Sequence, residues 1–371
     1  MYGKYGWHRC KGKFFTAKFT PYFCLYEKLK LTGNSLDMSS STPSERYRIY
    51  NKSCYSLPDL ENESMDAVVT DPPYGIGFQA HEWDKALPKR QIWEDCYRVL
   101  KPGGFALVFS AVRSMHRVMV DLEDAGFRIK DILFWSFLNG MPKSRDVGLD
   151  IDKELGIESE KVGTYNYVQG YKKGGADNYY ASEKKFRYEP ASEEGKHFQG
   201  WGMGIKPCYE PIIMVQKPIE QGKSVAGNML EYGTGALNLE DTRIPYEAGE
   251  EGKVGHNPHP KGRVTGNMLR TEPHNDGYDK FFLVPKVRQH AEDYNYHPTK
   301  KPTDLMEHII RLVTHADSTV LDPFMGSGST ALACIYLGRK FVGYELDEGY
   351  FTIAKRRIEA VVNNGKQGSL F

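Results

Sequence analysis

The spacing of apolar positions changes several times along this chain, and each change predicts an element. Residues 67–70, Ala-Val-Val-Thr, form an apolar run that stops at Asp71, the pattern of a short buried strand. Ile92, Trp93, Cys96, Tyr97 and Leu100 recur at helical spacing, and Lys101-Pro102-Gly103-Gly104 predicts the end of that helix. Strands are then predicted over 105–110 and 131–137, with a helix over 115–125 between them. Toward the C-terminus the order repeats: an amphipathic helix over 303–313, a short strand over 319–321, a helix over 329–337, a strand over 340–344 and a helix over 350–361. Strands alternating with helices imply an α/β protein with a mostly parallel sheet covered on both faces.

The middle of the chain breaks this rhythm. Residues 145–205 and 219–295 are rich in Gly, Tyr, Lys, Asn and Pro and lack a clean period. Between them, residues 210–215 (Glu-Pro-Ile-Ile-Met-Val) predict one more core strand. Connections this long are uncommon in a compact fold unless they bind something, so they predict a recognition region. At the other end, residues 1–30 carry seven Lys/Arg against one Glu, interleaved with aromatic side chains and without the apolar core of a leader peptide. A nucleic-acid-touching arm and a poorly packed extension both fit that composition, and residues 38–45, MSSSTPSE, read as a linker.

Composition narrows the class only a little. A 371-residue chain is long for one domain. No apolar stretch is long enough to predict a membrane span, and the six scattered cysteines form no CxxC, which suits a reducing cytoplasm. His256 and His259 lie in a Gly/Pro-rich stretch without companion ligands, so no metal is expected. The net charge of +1 argues against a uniformly basic nucleic-acid binder but leaves room for a local basic face.

Two stretches carry candidate chemistry. In DAVVTDPPYGIG (66–77) an apolar strand ends in a carboxylate, two prolines and a tyrosine. The prolines remove two backbone donors and fix φ, leaving carbonyls held in place beside a flat ring. That set suits a turn, and it also suits a clamp for something planar that carries an amino group. In VLDPFMGSGST (320–330) a strand, an acidic turn and Gly326 and Gly328 precede a helix start. Glu345, at the tip of the next strand, is spaced to accept hydrogen bonds from ribose hydroxyls. The two turns follow strands, so both can open onto one edge of a parallel sheet.

DPPY (71–74), HPTKKP (297–302) and DPFMGSGS (322–329), in that order around a long variable region, closely resemble the β group of S-adenosylmethionine-dependent DNA amino-methyltransferases. LKPGG (100–104), FWSFLNGMPKS (134–144), KPCYEPI (206–212) and YGTGALN (232–238) are similar to segments of the versions found in phage and restriction–modification systems. The resemblance implies a doubly wound, mostly parallel seven-stranded Rossmann-like sheet with helices on both faces and an inserted irregular target-recognition region. It divides the chain into an extension and linker (1–45), a catalytic half (46–144), a recognition region with an embedded strand near 208–217 (145–295) and a cofactor half (296–371).

The same resemblance implies the roles. Asp71, Pro72, Pro73 and Tyr74 would be catalytic, with Asp71 and the Pro72 carbonyl accepting amino hydrogens and Tyr74 stacking on a flipped-out base. Thr299, Lys301, Asp322, Pro323, Phe324, Gly326, Ser327, Gly328, Ser329 and Glu345 would hold S-adenosylmethionine, Thr299 and Lys301 at its methionine end. Where relatives often carry an acid near the start of the domain, this chain has Ser53, which leaves the holding of the cofactor's adenine open. Basic residues interleaved with tyrosines make Lys172, Lys173, Lys184, Lys185 and Arg187 candidates for DNA contact, with Arg263, Arg270 and Arg288 beyond them. The expected activity is sequence-specific methylation of adenine N6 in double-stranded DNA, with cytosine N4 as the alternative target. A cognate restriction endonuclease and a homodimer are the partners the family allows. Methylation of a protein glutamine fits less well, because those relatives place the glycine loop before the tetrapeptide.

Overall fold

The computed structural model describes residues 46–77, 82–137, 145–168, 182–205, 207–246, 259–270, 282–283, 295 and 300–367. The chain divides into Met1–Thr42, which lies outside the described residues, and Pro43–Phe371.

Within the second unit one mixed sheet runs in the order β1 (Tyr47–Asn51), β11 (Lys340–Glu345), β10 (Thr319–Asp322), β2 (Met65–Thr70), β3 (Leu100–Phe109), β7 (Tyr209–Gln216), β4 (Arg128–Ser136), β8 (Met268–Arg270) and β9 (Phe282–Leu283). The first five strands are mutually parallel; β7 is antiparallel to both β3 and β4. The expected seven strands are therefore present, and two short strands, β8 and β9, extend the edge beside β4 in parallel.

The period-two alternation of the central strands decides which helices cover which face. Ala67, Val69, Phe105, Leu107, Phe109, Ile212 and Met214 pack with buried residues of α6 (Thr303–Val313), α7 (Ser329–Tyr336) and α8 (Glu348–Gln367). Val68, Ala106, Val108, Ile213 and Val215 point the other way, toward α1 (Arg90–Val99) and α2 (Met115–Asp124). Every residue of β2 is buried, including Asp66. That carboxylate is satisfied by Lys101 Nζ at 2.6 Å and the backbone N–H of Thr319 at 2.6 Å, so it ties β2 to its neighbours on both sides.

The sequence LKPGG behaves differently from expectation. The helix ends at Val99, and Lys101–Gly104 forms no separate turn: it bulges inside β3, where pairing jumps from Met65↔Leu100 to Ala67↔Phe105. Gly103 needs φ +80° there, and a Cβ would lie 2.6 Å from Asn228 Nδ2 and 2.9 Å from Gly235 Cα. Asn228, on α5 (Val225–Tyr232), and Thr234 both donate to the Pro102 carbonyl, at 2.8 and 2.6 Å. The LKPGG and YGTGALN segments thus meet.

The stretch lacking periodicity contains α3 (Val147–Glu154), α4 (Glu193–His197) and a separate antiparallel pair, β5 (Glu160–Val168) with β6 (Ser182–Glu189). At its base the Asp152 carboxylate accepts from Ser159 Oγ (2.9 Å) on one arm and from Ala191 N (2.6 Å), Ser192 N (3.1 Å) and Ser192 Oγ on the other. These bonds hold its pKa down to about 2.

Candidate active site

Strands β2 and β10 are neighbours and parallel, with Val320 paired to Ala67 and Leu321 to Val68. The turns that follow them therefore leave the sheet side by side at its carboxyl edge, the usual place for a ligand in an open α/β sheet. A buried hydrogen bond joins them: Thr70 Oγ1 donates to Asp322 Oδ1 at 2.7 Å. The other oxygen of Asp322 accepts from Thr330 Oγ1 at 2.6 Å, and Phe324 N donates to Oδ1 at 3.1 Å. Burial raises the Asp322 pKa to about 6 even against these bonds. Asp322 thus sits at the strand tip as expected, but its oxygens bind the protein's own donors and strap the two turns together.

On the β2 side, Asp71 is half-buried and both carboxylate oxygens are engaged. Tyr74 Oη donates to Oδ1 at 2.7 Å, and Lys301 Nζ pairs with Oδ2. Burial pushes the Asp71 carboxyl up and the Lys301 ammonium pulls it back. The Tyr74 hydroxyl is pushed well above its usual range, by burial first and then by Asp71. Pro72 is buried and Pro73 half-buried. The turn itself is held from beneath by Asp84, 2% exposed, whose Oδ1 accepts from Tyr74 N at 2.6 Å and Gly75 N at 3.1 Å.

Lys301, assigned to the methionine end of the cofactor, reaches into the tetrapeptide side of the site: its ammonium sits 4.9 Å from the ring centre of Phe109 and 5.7 Å from that of Tyr74, between Asp71 and Glu210 Oε2, the latter at 3.6 Å. Burial works against its charge, yet the two carboxylates outweigh it and raise its pKa. Thr299, the other residue assigned with it, lies outside the described residues.

On the β10 side, Pro323, Ser327, Gly328 and Ser329 are buried while Phe324 and Gly326 are half-exposed. Gly326 and Gly328 adopt φ +54° and +82°, conformations that favour glycine. Gly328 also passes close to α8, where an added Cβ would lie 3.2 Å from Ala354 Cβ. Arg357 Nη1 of α8 donates to the Ser327 carbonyl at 2.5 Å and fixes the turn from behind. Glu345 closes the site: Oε2 accepts from Gly326 N and Oε1 from Asp347 N, each at 2.8 Å. Burial raises its pKa against these bonds and a further one from the Leu346 backbone, and the carboxylate still has acceptor capacity for another donor.

This donor set fits S-adenosylmethionine. A strand-tip carboxylate with spare lone pairs suits ribose hydroxyls, and the Asp71, Asp322 and Glu345 carboxyl groups suit a positively charged sulfonium. Ser53, at the position where relatives often carry an acid, is exposed, and its Oγ accepts from Tyr55 N at 3.3 Å.

The proposed DNA-contact residues fall into three groups. Lys184 and Arg187 are exposed on β6 and Lys185 is half-buried there, opposite Asn166, Gly163 and Tyr165 of β5 respectively. Arg263 is half-buried, stacked 5.0 Å from the Tyr246 ring centre in a small bridge with Ile244, far less free than its loop composition suggested. Arg270 ends β8, and Lys172, Lys173 and Arg288 lie outside the described residues.

Three participants are not evident from the sequence motifs. Thr70 and Glu210 each left a signal, a polar residue closing one apolar run and a carboxylate opening another. Asp84 left none, because its role depends on a loop folding back under the tetrapeptide.

A family model described as DNA methylase matches residues 65–356. The type II methyltransferase M.HindIII of Haemophilus influenzae is 27% identical over 359 residues, covering 85% of this chain and 96% of that protein. The DNA adenine methyltransferase YhdJ of Escherichia coli K12 is 25% identical over 323 residues, covering 84% and 82% respectively. Among solved structures, PVUII DNA methyltransferase (cytosine-N4-specific) aligns with a TM-score of 0.48 at 14% identity, over 86% of this chain and 92% of that one. The family match spans most of the chain and includes both turns of the site, so this protein belongs to the DNA methylase family, with S-adenosylmethionine as its methyl donor.

Proposed function

We propose that this enzyme methylates the N6 amino group of adenine at a specific site in double-stranded DNA, on a base turned out of the helix. The observation that carries the reading is the position of the Asp71 carboxylate, half-buried beside the Tyr74 ring and one strand away from the glycine turn. An exocyclic amino group cannot be reached inside the duplex, so the base must leave the stack. Tyr74 offers its ring for stacking, worth about 1–3 kcal/mol in single-strand binders and comparable to the cost of unstacking. Its hydroxyl bond to Asp71 and its N–H bond to Asp84 fix that ring in place.

Bound at the glycine turn, S-adenosylmethionine supplies an electrophilic methyl group. Asp71 and the Pro72 carbonyl accept the two amino hydrogens, which draws the nitrogen lone pair out of conjugation with the ring. Lys301 favours the ionised form of Asp71, the form that accepts. Holding the amine in this geometry can lower the barrier by several kcal/mol, up to about 7–11 in ideal cases. Adenine is favoured over cytosine by the aspartate that opens the tetrapeptide, since a serine there is commoner among cytosine-N4 enzymes, and by the relative named a DNA adenine methyltransferase.

DNA is engaged by the β5–β6 ribbon. A two-stranded ribbon is of a size the major groove admits, and this one carries Lys184, Lys185 and Arg187 together with exposed Tyr165, Phe186 and Tyr188. Trp201, Met203 and Ile205, strongly exposed in the segment leading toward β7, are the kind of apolar side chain that enters an opened base step. Pairing with a restriction endonuclease completes the reading. The deciding experiment is mass spectrometry of nucleosides from DNA methylated by the purified enzyme. N6-methyladenine is expected, and N4-methylcytosine as the sole product would reverse the choice of base.

A further inference from the structure

The site contains one more charged group than methyl transfer through Asp71 requires. Glu210 is the second residue of β7, the antiparallel strand paired to β3, and its start lies at the same edge as the tetrapeptide because β7 runs opposite to the parallel strands. Its side chain is 20% exposed, as is that of Asp71, while Lys301 between them is 6% exposed. One ammonium therefore serves two carboxylates, in contact with Asp71 Oδ2 and 3.6 Å from Glu210 Oε2. Among the described residues, the other ionisable groups bearing on this cluster include Tyr74, bonded to Asp71, Asp84, beneath the tetrapeptide turn, and Asp322, whose carboxyl is raised in part by Asp71.

This arrangement poses a problem for the reaction. Each Asp71 oxygen already accepts one donor, Lys301 on Oδ2 and Tyr74 on Oδ1. An arriving amino group must therefore compete for the remaining lone pairs and approach Oδ2 beside a full positive charge. A lysine with a single buried carboxylate partner would resist giving way, because an unpaired buried charge is costly. A lysine with a second carboxylate within reach can shift toward it without losing its counter-ion.

We propose that Glu210 is a positioning residue for methyl transfer: it receives the Lys301 ammonium as the target amino group takes its place on Asp71. The inference rests on the reading of Asp71 as the acceptor of the amino hydrogens. It assigns to β7, otherwise a core strand, a direct part in the site. The two carboxylates outweigh burial and keep Lys301 charged, as this exchange needs.

The test is single-turnover methyl transfer to DNA at saturating S-adenosylmethionine, across a pH series, with the full chain. Wild type is expected to give a flat profile above neutrality. In Glu210→Gln the ammonium has only Asp71, so transfer at neutral pH should fall by about tenfold or more. It should recover as pH rises and Lys301, with one carboxylate fewer, loses its proton. The cofactor dissociation constant should not change. A wild-type rate with a flat profile, or a loss confined to cofactor binding, would overturn the proposal. Glu210→Asp keeps the charge at a longer reach and carries the test if the glutamine variant does not fold. An intermediate rate with a flat profile supports the proposal, and either a wild-type rate or a pH-activated profile counts against it. Asp71→Ala run in parallel separates the two layers. If it retains transfer, the underlying reading of Asp71 falls; if it is inactive while Glu210→Gln behaves as wild type, only the role of Glu210 falls.

Discussion

Asp71 is required to carry charge in a place that resists it, and its neighbours show how the protein manages this. Lys301 supplies the counter-charge, Tyr74 a hydrogen bond, and Asp84 holds the backbone that presents both. Asp84 has no part in the chemistry, yet removing it leaves the N–H groups of Tyr74 and Gly75 without this acceptor. A hydrogen bond to a charged group contributes about 1.5–3 kcal/mol. Asp84→Ala should therefore lower the transfer rate by about tenfold or more while cofactor affinity, measured by calorimetry, stays within about twofold. Glu345 predicts the opposite split. Its carboxylate orders Gly326 and, on the proposed reading, accepts from the ribose hydroxyls, so Glu345→Ala should weaken S-adenosylmethionine binding by about tenfold to a hundredfold. An unchanged dissociation constant would remove Glu345 from the cofactor site.

At the scale of elements, the legible parts were those whose chemistry is local. Asp71 and Glu345 could be read because each ends an apolar run, and Gly326 and Gly328 because a glycine pair before a helix has few other uses. The Lys301–Asp71 pair was not legible, since its members are 230 residues apart and meet only because α6 packs beneath β2 and β3. The bulge at LKPGG was missed for a related reason: Gly103 is required by Asn228 and Gly235, which arrive from a distant loop. The β5–β6 ribbon carries no alternation of apolar and polar residues that would mark it as strands, because the described side chains at 160–165 and 184–189 are exposed apart from the half-buried Lys185. Its integrity depends on Asp152, which binds both arms at their base. Asp152→Ala should expose the ribbon to limited proteolysis and weaken DNA binding, leaving cofactor binding intact. Replacing Lys184 and Arg187 by alanine should lower the salt dependence of DNA binding by about 0.9 in log–log slope for each phosphate that is no longer neutralised. An unaltered slope would place the DNA elsewhere.

For the molecule as a whole, burial of ionisable groups sets the response of stability to pH. His308 is 3% exposed, and its pKa falls from 6.5 to about 3, mainly through burial. A depressed histidine contributes fully above pH 6.5, and that contribution is lost as pH drops from there toward 3. Glu307 and Asp322 act with the opposite sign. Burial raises them to about 7 and about 6, so the fold favours their protonated forms and loses that preference as pH rises through those values. His308→Gln should therefore steepen the acid-side gain: as pH falls from 7 toward 5, thermal melts of the variant should rise more than those of wild type, in which the buried histidine offsets part of what the two carboxyls contribute. Parallel curves for the two proteins would show that His308 does not control acid stability.

The central claim is that the tetrapeptide after β2 and the glycine turn after β10 form two walls of one transfer site, the first acting on the amine and the second on the cofactor. The most direct test is to measure S-adenosylmethionine affinity and single-turnover methyl transfer on the same preparation of Asp71→Ala. The account predicts cofactor affinity within about threefold of wild type and a transfer rate reduced by about a thousandfold or more. Retention of most of the transfer rate, or a loss of cofactor binding large enough to explain the whole defect, would contradict it.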